Sequence, residues 1–415
     1  MASFKYSFFE ACREGDLATI EQFLQDDRVD DHNDAIFRAS QYGHLAIVNR
    51  LLQDHRVDPS ANENVAIRYA SENGHLAVVE RLLQDHRVDP SDDQNGSIGW
   101  ASEHGHLAIV NRLLQDSRVE PSMLFNYPVR YASRNGHLAV VERLLQDSRV
   151  DPSDDYNDAI AYASSEGHLA VVERLLQDSR VDPSDDNNAA VRWASKRGHL
   201  ATVKRLLQDE RVDPSADEND ALEGASCNGH VDIVDHLLRD PRVDPSDQNN
   251  EAIRSASQRG HFAVVDRLLQ DRRVDPSKKR NYAIRCASEN GYLAVVERLL
   301  EDSRVDPSDQ DNYAIRYACL YGHAAIVKRL LQDCRVDPDV YIRYEAFCKS
   351  SEILLLPSLR HREQVRRLLP QIVVKERLLR EFEQKFTDAP PHVNKWVWEG
   401  GPGYHEGLEA CFSIK

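Results

Sequence analysis

Glycine recurs every 31 residues through most of this chain, at Gly43, Gly74, Gly105, Gly136, Gly167, Gly198, Gly229, Gly260, Gly291 and Gly322. Each is followed by His, except at Tyr292. Self-similarity at a period of about 20–50 residues marks a stacked-repeat solenoid, because one such unit cannot bury its apolar face alone and buries it against the next. The period overrides the two or three globular domains that 415 residues suggest on length. A thin, elongated core also accounts for a hydrophobic content of 41%, below the roughly 45–50% of an ordinary domain.

Residues 64–91, NVAIRYASENGHLAVVERLLQDHRVDPS, show one unit. Asn64 precedes an apolar-periodic run, as do Asn33, Asn95, Asn126, Asn157, Asn188, Asn219, Asn250, Asn281 and Asn312 in theirs. That placement predicts a helix N-cap, with the side-chain oxygen accepting from an orphan backbone N–H. A short first helix is predicted over about residues 65–73, with Ile67 and Ala70 on one face and Gly74 ending it at positive φ. A second helix is predicted over about 75–84, where Val78, Val79, Leu82 and Leu83 form a buried stripe. Pro90 then forces an extended turn. Each unit reads as helix–turn–helix plus a projecting loop.

Gly74–His75, Ala70, Val78–Val79 and Leu82–Leu83 together resemble the ankyrin repeat. The match has departures. The family's Thr-Pro-Leu-His signature reads Val65-Ala66-Ile67-Arg68, and its Gly-Ala after the second helix is replaced by pairs such as His86–Arg87. The loop is therefore expected to be shorter or differently bent than the family's β-hairpin finger. The array is similar to the divergent ankyrin proteins of amoebae and giant viruses. The resemblance implies an all-α, ankyrin-type helix–turn–helix solenoid of about eleven repeats over residues 1–338. Residues 1–32 form an N-terminal capping unit, with Phe4, Phe8, Ala11, Gly15, Leu17, Ile20, Phe23 and Leu24 in register.

Composition narrows the functional classes. A net charge of −17 argues against general affinity for nucleic acid or anionic membrane. No run of about 18 apolar residues exists, so no membrane span is expected, and the first residues lack a signal-peptide pattern. Seven cysteines without a framework spacing point to a reducing, cytoplasmic setting, with the nucleus or a host cell's cytoplasm as alternatives. Zinc motifs, phosphate-binding glycine loops and nucleophile–base sets are not found outside the periodic pattern. No cofactor or metal site is expected, and a non-enzymatic monomer is the reading.

Comparing units separates scaffold from surface. The resemblance implies that the histidines after glycine hydrogen-bond loop backbone; a metal reading finds no second ligand at tight spacing. Asp85, Arg87 and Asp89 recur through Asp333, Arg335 and Asp337. They form either a charged ladder for a ligand or local salt bridges that fix the loop, and their identity in every unit favours the second.

The variable positions are the candidate partner-binding residues, since ankyrin partners usually lie along the concave face and loop tips. The pair before glycine, including Arg134, Lys196 and Arg197, is either a tuned contact or a solvated face. The aromatic series Tyr69, Trp100, Tyr131, Tyr162 and Trp193, taken up again at Tyr317, reads as inter-repeat packing or as a row of anchors. Most loop tips are acidic or amide-rich, but one reads Met123-Leu124-Phe125. Those apolar residues contact a partner, fold back on their neighbours, or have drifted. Lys278-Lys279-Arg280 is a basic tip on an acidic body, able to dock an acidic segment or simply solvated.

Beyond the array, residues 339–385 look helical and carry more Lys and Arg than Asp and Glu. They read as a helical C-terminal cap, which a solenoid requires, or as a docking segment. Ankyrin arrays often carry a C-terminal box that recruits ubiquitin-ligase machinery, and Leu359 to Leu369 with Leu378–Leu379 is faintly similar to such leucine spacing. Residues 386–415 form a loop-rich tail. The expected function is a non-catalytic protein–protein interaction scaffold, with a substrate-recognition adaptor of a ubiquitin ligase as the alternative.

Overall fold

In the computed structural model the chain is described at residues 10–25, 32–337 and 340. The cap or docking segment, the tail, and Phe4 and Phe8 of the capping unit lie outside the described residues. The chain divides after Asp275 into two units. Among the described residues every regular element is an α-helix, and there is no strand.

The first unit contains Leu17–Leu24, then His32–Gln41 with Leu45–Leu51, then a series of similar pairs. These are Ala61–Glu72 with Leu76–Leu82, Asp92–Glu103 with Leu107–Leu113, Met123–Arg134 with Leu138–Leu144, Asp154–Ser165 with Leu169–Leu175, Asp185–Arg197 with Leu200–Leu206, Ala216–Cys227 with Val231–Leu237, and Asp247–Arg259 with Phe262–Leu269. The second unit holds Lys278–Glu289 with Leu293–Leu300 and Asp309–Leu320 with Ala324–Leu330. Within each unit, first helices pack on first helices of adjacent repeats, and second helices on second helices.

A second helix of seven residues is too short to hold itself in water. It persists because Val78, Val79, Leu82 and their counterparts are fully buried, along with Val88 from the following loop. The join between the helices has a specific geometry. His106 N–H donates to Ala101 C=O at 2.8 Å and Gly105 N–H to Ser102 C=O at 3.2 Å, with Gly105 at φ +78°. This is a Schellman ending, which requires the left-handed residue that glycine supplies. Glycine is required a second time by the next repeat: a Cβ on Gly74 would lie 2.7 Å from the His106 ring. The histidine packs there because its Nε2 hydrogen-bonds a carbonyl in the last turn of the preceding first helix. Examples are His75 to Gln41 at 2.9 Å, His106 to Glu72 at 2.8 Å and His137 to Glu103 at 2.9 Å.

The asparagine expected as an N-cap has a different role. Asn64, with Asn62 and Glu63 before it, lies in the left-handed region at φ +53° to +58°. Three consecutive left-handed residues form a single turn, and right-handed helix begins only at Val65. The same turn recurs up to Gln310–Asn312, and none of its residues is β-branched, as left-handed sterics demand. Asn64 is buried and faces the next repeat: its Oδ1 accepts from Asp89 N–H at 2.9 Å and its Nδ2 donates to Asp92 Oδ2 at 2.8 Å. It therefore staples two repeats together rather than capping its own helix. This turn stands where the family's hairpin finger would be.

The recurrent charges brace the same loop. Arg149 donates from Nε and Nη2 to the two Asp147 oxygens at 2.9 and 2.7 Å, while Nη1 reaches Val119 C=O of the preceding repeat at 2.7 Å. Local bracing, not a ligand ladder, is what this geometry describes.

Two outcomes follow from these contacts. Asn157→Ala strands the Asp182 N–H that Asn157 Oδ1 accepts at 2.8 Å. It should lower unfolding free energy by about 1–3 kcal/mol, the usual cost of an unsatisfied buried group, as read from urea midpoints at constant m-value. The second outcome concerns acid. Hydrogen bonds from arginine, outweighing burial, hold Asp85, Asp116, Asp147, Asp178 and their counterparts to Asp333 below the usual carboxylate range. A carboxylate with a depressed folded pKa contributes stability above its unfolded value and loses it as pH falls through the folded one. Urea midpoints should therefore decline below about pH 4. A midpoint that holds down to about pH 2.5 would contradict the bracing role.

Candidate functional site

The conserved spacing sets the rings of the aromatic series one repeat apart on the first helices. Tyr131 and Tyr162 meet at 6.3 Å between centroids, tilted by 56°, and Tyr162 and Trp193 stack at 6.0 Å and 20°. Tyr69 and Trp100 continue the series with exposed rings, whereas Tyr131, Tyr162 and Trp193 are half-buried. The rings thus pack on one another across repeats and still present surface. Arg134 is exposed, with its guanidinium 5.8 Å from the centroids of both Tyr131 and Tyr162. Cation–π contacts of this exposed kind contribute about 0.5–1 kcal/mol.

Lys196 and Arg197 are exposed one repeat beyond Glu166, and Arg197 pairs with Glu166 at 3.1 Å. Lys278, Lys279 and Arg280 are exposed in the second unit, where they open a first helix through the left-handed turn. Tyr317 also belongs to that unit and stacks on Tyr313 at 3.9 Å.

Leu124 and Phe125 open the left-handed turn that Asn126 completes, with Met123 just before it, and Met123, Leu124 and Phe125 are 40%, 44% and 64% exposed. Tyr156, in the Phe125 position one repeat on, is 72% exposed. Two large rings therefore stand at equivalent positions of neighbouring turns. The segment expected as a projecting loop tip is a left-handed turn, with Leu124 and Phe125 at φ +54° and +55°.

Two features of this face escaped the sequence reading. One is Tyr127, which stacks on Tyr131 at 4.0 Å and donates its hydroxyl to Glu103 Oε2 at 2.5 Å. Burial, then the Glu103 carboxylate, pushes its pKa well up. The other is the position six residues before glycine, which reads Phe37, Arg68, Gly99, Arg130, Ala161, Arg192, Glu223 and Arg254 across the first unit. Arg130 is buried, pairs with Asp155 and Asp158 of the next repeat at 2.7 Å each, and donates to Leu124 and Phe125 carbonyls of its own turn at 3.4 and 3.3 Å. Arg192 repeats the arrangement with Asp217 and Asp220 at 2.7 Å, and Arg68 pairs with Asp93. Burial pushes the Asp158 carboxyl up, against the opposing pull of Arg130. The alternation was visible in the repeat, but without partners it carried no meaning.

At Gly99 the arginine is missing, the following turn carries Leu124 in place of an aspartate, and a pocket of about 170 Å³ opens. Trp100, Met123, Leu124 and Tyr127 give it apolar walls, and Asp93 and Glu120 border it. A wider polar depression of about 530 Å³ lies over Glu103, Arg134, Glu166 and His168. Among the described residues no three His, Cys, Asp or Glu side chains are grouped to hold a metal ion, and no helix is long and apolar enough to cross a membrane.

Stacked helix pairs joined by glycine and histidine are matched by a family model, ankyrin repeats in sets of three, at residues 8–94, 98–187, 160–249 and 251–342. The chain belongs to the ankyrin-repeat family. Ankyrin repeats are protein-interaction modules. No curated protein matches the sequence.

Proposed function

We propose that this ankyrin array, spanning residues 1–338, is a non-catalytic scaffold that binds a protein partner along the first helices and left-handed turns of its first unit. The observation that carries the reading is the exposed Met123-Leu124-Phe125 turn. Its place beside Trp100 and the Tyr131–Tyr162–Trp193 row supplies the large, stiff apolar surfaces that dominate protein interfaces. Arg134, Lys196 and Arg197 contribute charge selectivity at the rim, and Lys278, Lys279 and Arg280 give the second unit a separate basic tip.

The scaffold reading is tested by a conservative loop exchange. Met123→Asp with Leu124→Asp and Phe125→Gln turns Met-Leu-Phe-Asn into Asp-Asp-Gln-Asn, the sequence of the preceding repeat at residues 92–95. The exchanged residues already occupy a left-handed turn in this fold, so folding should be retained. Affinity capture from native lysate with quantitative mass spectrometry should return a partner that wild type and a 1–338 truncation both hold. The loop exchange should reduce that partner by at least about tenfold, the loss of roughly 1.4 kcal/mol. Equal recovery by all three baits would move the binding surface elsewhere, and loss with the truncation alone would place recruitment in residues 339–415.

A further inference from the structure

We propose that the pocket over Gly99 receives an arginine side chain of the partner. The proposal rests on the reading of this face as a protein-binding surface and names what one part of it recognises.

The fold contains its own template for the occupied state. In the second unit, Arg285 holds its guanidinium carbon 4.7 Å from the Tyr313 ring centroid. Tyr313 donates to Glu289 Oε2 at 2.9 Å and stacks on Tyr317 at 3.9 Å. The Gly99 layer reproduces each of these contacts except one. Tyr127 donates to Glu103 at 2.5 Å and stacks on Tyr131 at 4.0 Å, but the residue equivalent to Arg285 is Gly99. One face of the Tyr127 ring is covered by Tyr131, and the ring lines the pocket where a guanidinium stands in the sister layer.

The hydrogen-bond acceptors point the same way. Arg130, Arg192 and Arg254 each donate to two carbonyls of their own left-handed turn, Arg254 at 3.1 and 3.2 Å. The corresponding carbonyls in the third repeat belong to Asp93 and Gln94, which line the pocket, and Gly99 supplies no donor to them. Beside it, Gly96 makes room for the Arg68 stem, whose Cδ lies 2.9 Å from where a Cβ would stand. An arginine entering from outside would set its guanidinium against Tyr127 and these carbonyls, with its aliphatic stem along Met123 and Leu124. Glu120 at the border and the net charge of −17 favour a cation. A lysine ammonium lacks the planar fork that lies flat on the ring while donating to two acceptors in fixed directions.

The sequence provides a clean reporter, since its two methionines are Met1 and Met123. Full-length protein labelled with ¹³C at the methionine methyl gives a signal that Met123→Leu assigns. Nα-acetyl-arginine methylamide should shift it saturably. The citrulline, lysine and leucine analogues should bind at least about tenfold more weakly. In Gly99→Arg the internal side chain fills the site, so the response to the arginine probe should vanish. A Cβ on Gly99 lies 3.2 Å from Tyr127, so the variant's fold is checked by its melting curve, and the ligand order on wild type decides alone if it fails to fold. A leucine analogue that matches arginine, a citrulline analogue that matches it, or no saturable shift overturns the proposal. If partner capture still depends on the Met123-Leu124-Phe125 turn in those cases, the binding face stands and only the arginine assignment falls.

Discussion

The structure depends on a buried asparagine that bonds forward into the next repeat. Asn126 accepts from Asp151 N–H at 2.9 Å and donates to Asp154 Oδ2 at 2.9 Å, and the same pattern follows at Asn157 toward Asp182 and Asp185. A left-handed turn of non-glycine residues costs on the order of 1–2 kcal/mol per residue, so it needs support from outside itself. The asparagine supplies it, since it favours the left-handed region and its short side chain carries both an acceptor and a donor. Each loop is thus fixed by its neighbours: the asparagine reaches forward, while Arg149 and His137 reach back to Val119 and Glu103 carbonyls. A repeat taken alone keeps its helices' apolar stripe but loses every one of these partners.

Because the lock uses the same few residues in each repeat, the remaining positions are released from structural duty. The first two residues of the left-handed turn hold Asp, Gln, Leu, Phe, Tyr, Lys and Arg at different repeats while the backbone stays within the same region. The only evident restriction is the absence of β-branching. Diversity on the first-helix face therefore costs the fold little, which is how one scaffold can carry a basic tip at Lys278–Arg280 and an apolar one at Met123–Phe125.

Much of this was legible in the sequence, and the limits were physical. Gly74, His75 and the Val78–Val79–Leu82 stripe act locally or through the period, so spacing alone located both helices and the positive φ between them. The bracing role of Asp85 and Arg87 was readable because identical charges in every unit are poor carriers of specificity. Asn64 was misassigned because an N-cap and an inter-repeat staple share one local signature, an asparagine before an apolar run. Its true acceptor-side partner lies 25 residues away, beyond any local rule. The left-handed turn gave no positive signal, since varied residues fill it. Tyr127 was passed over because it falls outside the aromatic register set by Tyr69 and Trp100.

Gly99 and Leu124 occupy positions that in other repeats hold a facing arginine and aspartate. Where Arg68, Arg130 and Arg192 are present, the next turn offers Asp93, Asp155 and Asp217 to pair with them. Where the arginine becomes Gly99, the facing aspartate becomes Leu124. The pairing is not strict across the array, since Ala161 is followed by Asp186 and Arg254 by Lys279. At Gly99 both partners are absent together. Their absence leaves a site whose remaining walls, Tyr127 and the turn carbonyls, keep the geometry that holds guanidinium elsewhere in the fold. The apolar turn and the missing arginine are two sides of one opening, since Gly99, Met123 and Leu124 line the same pocket.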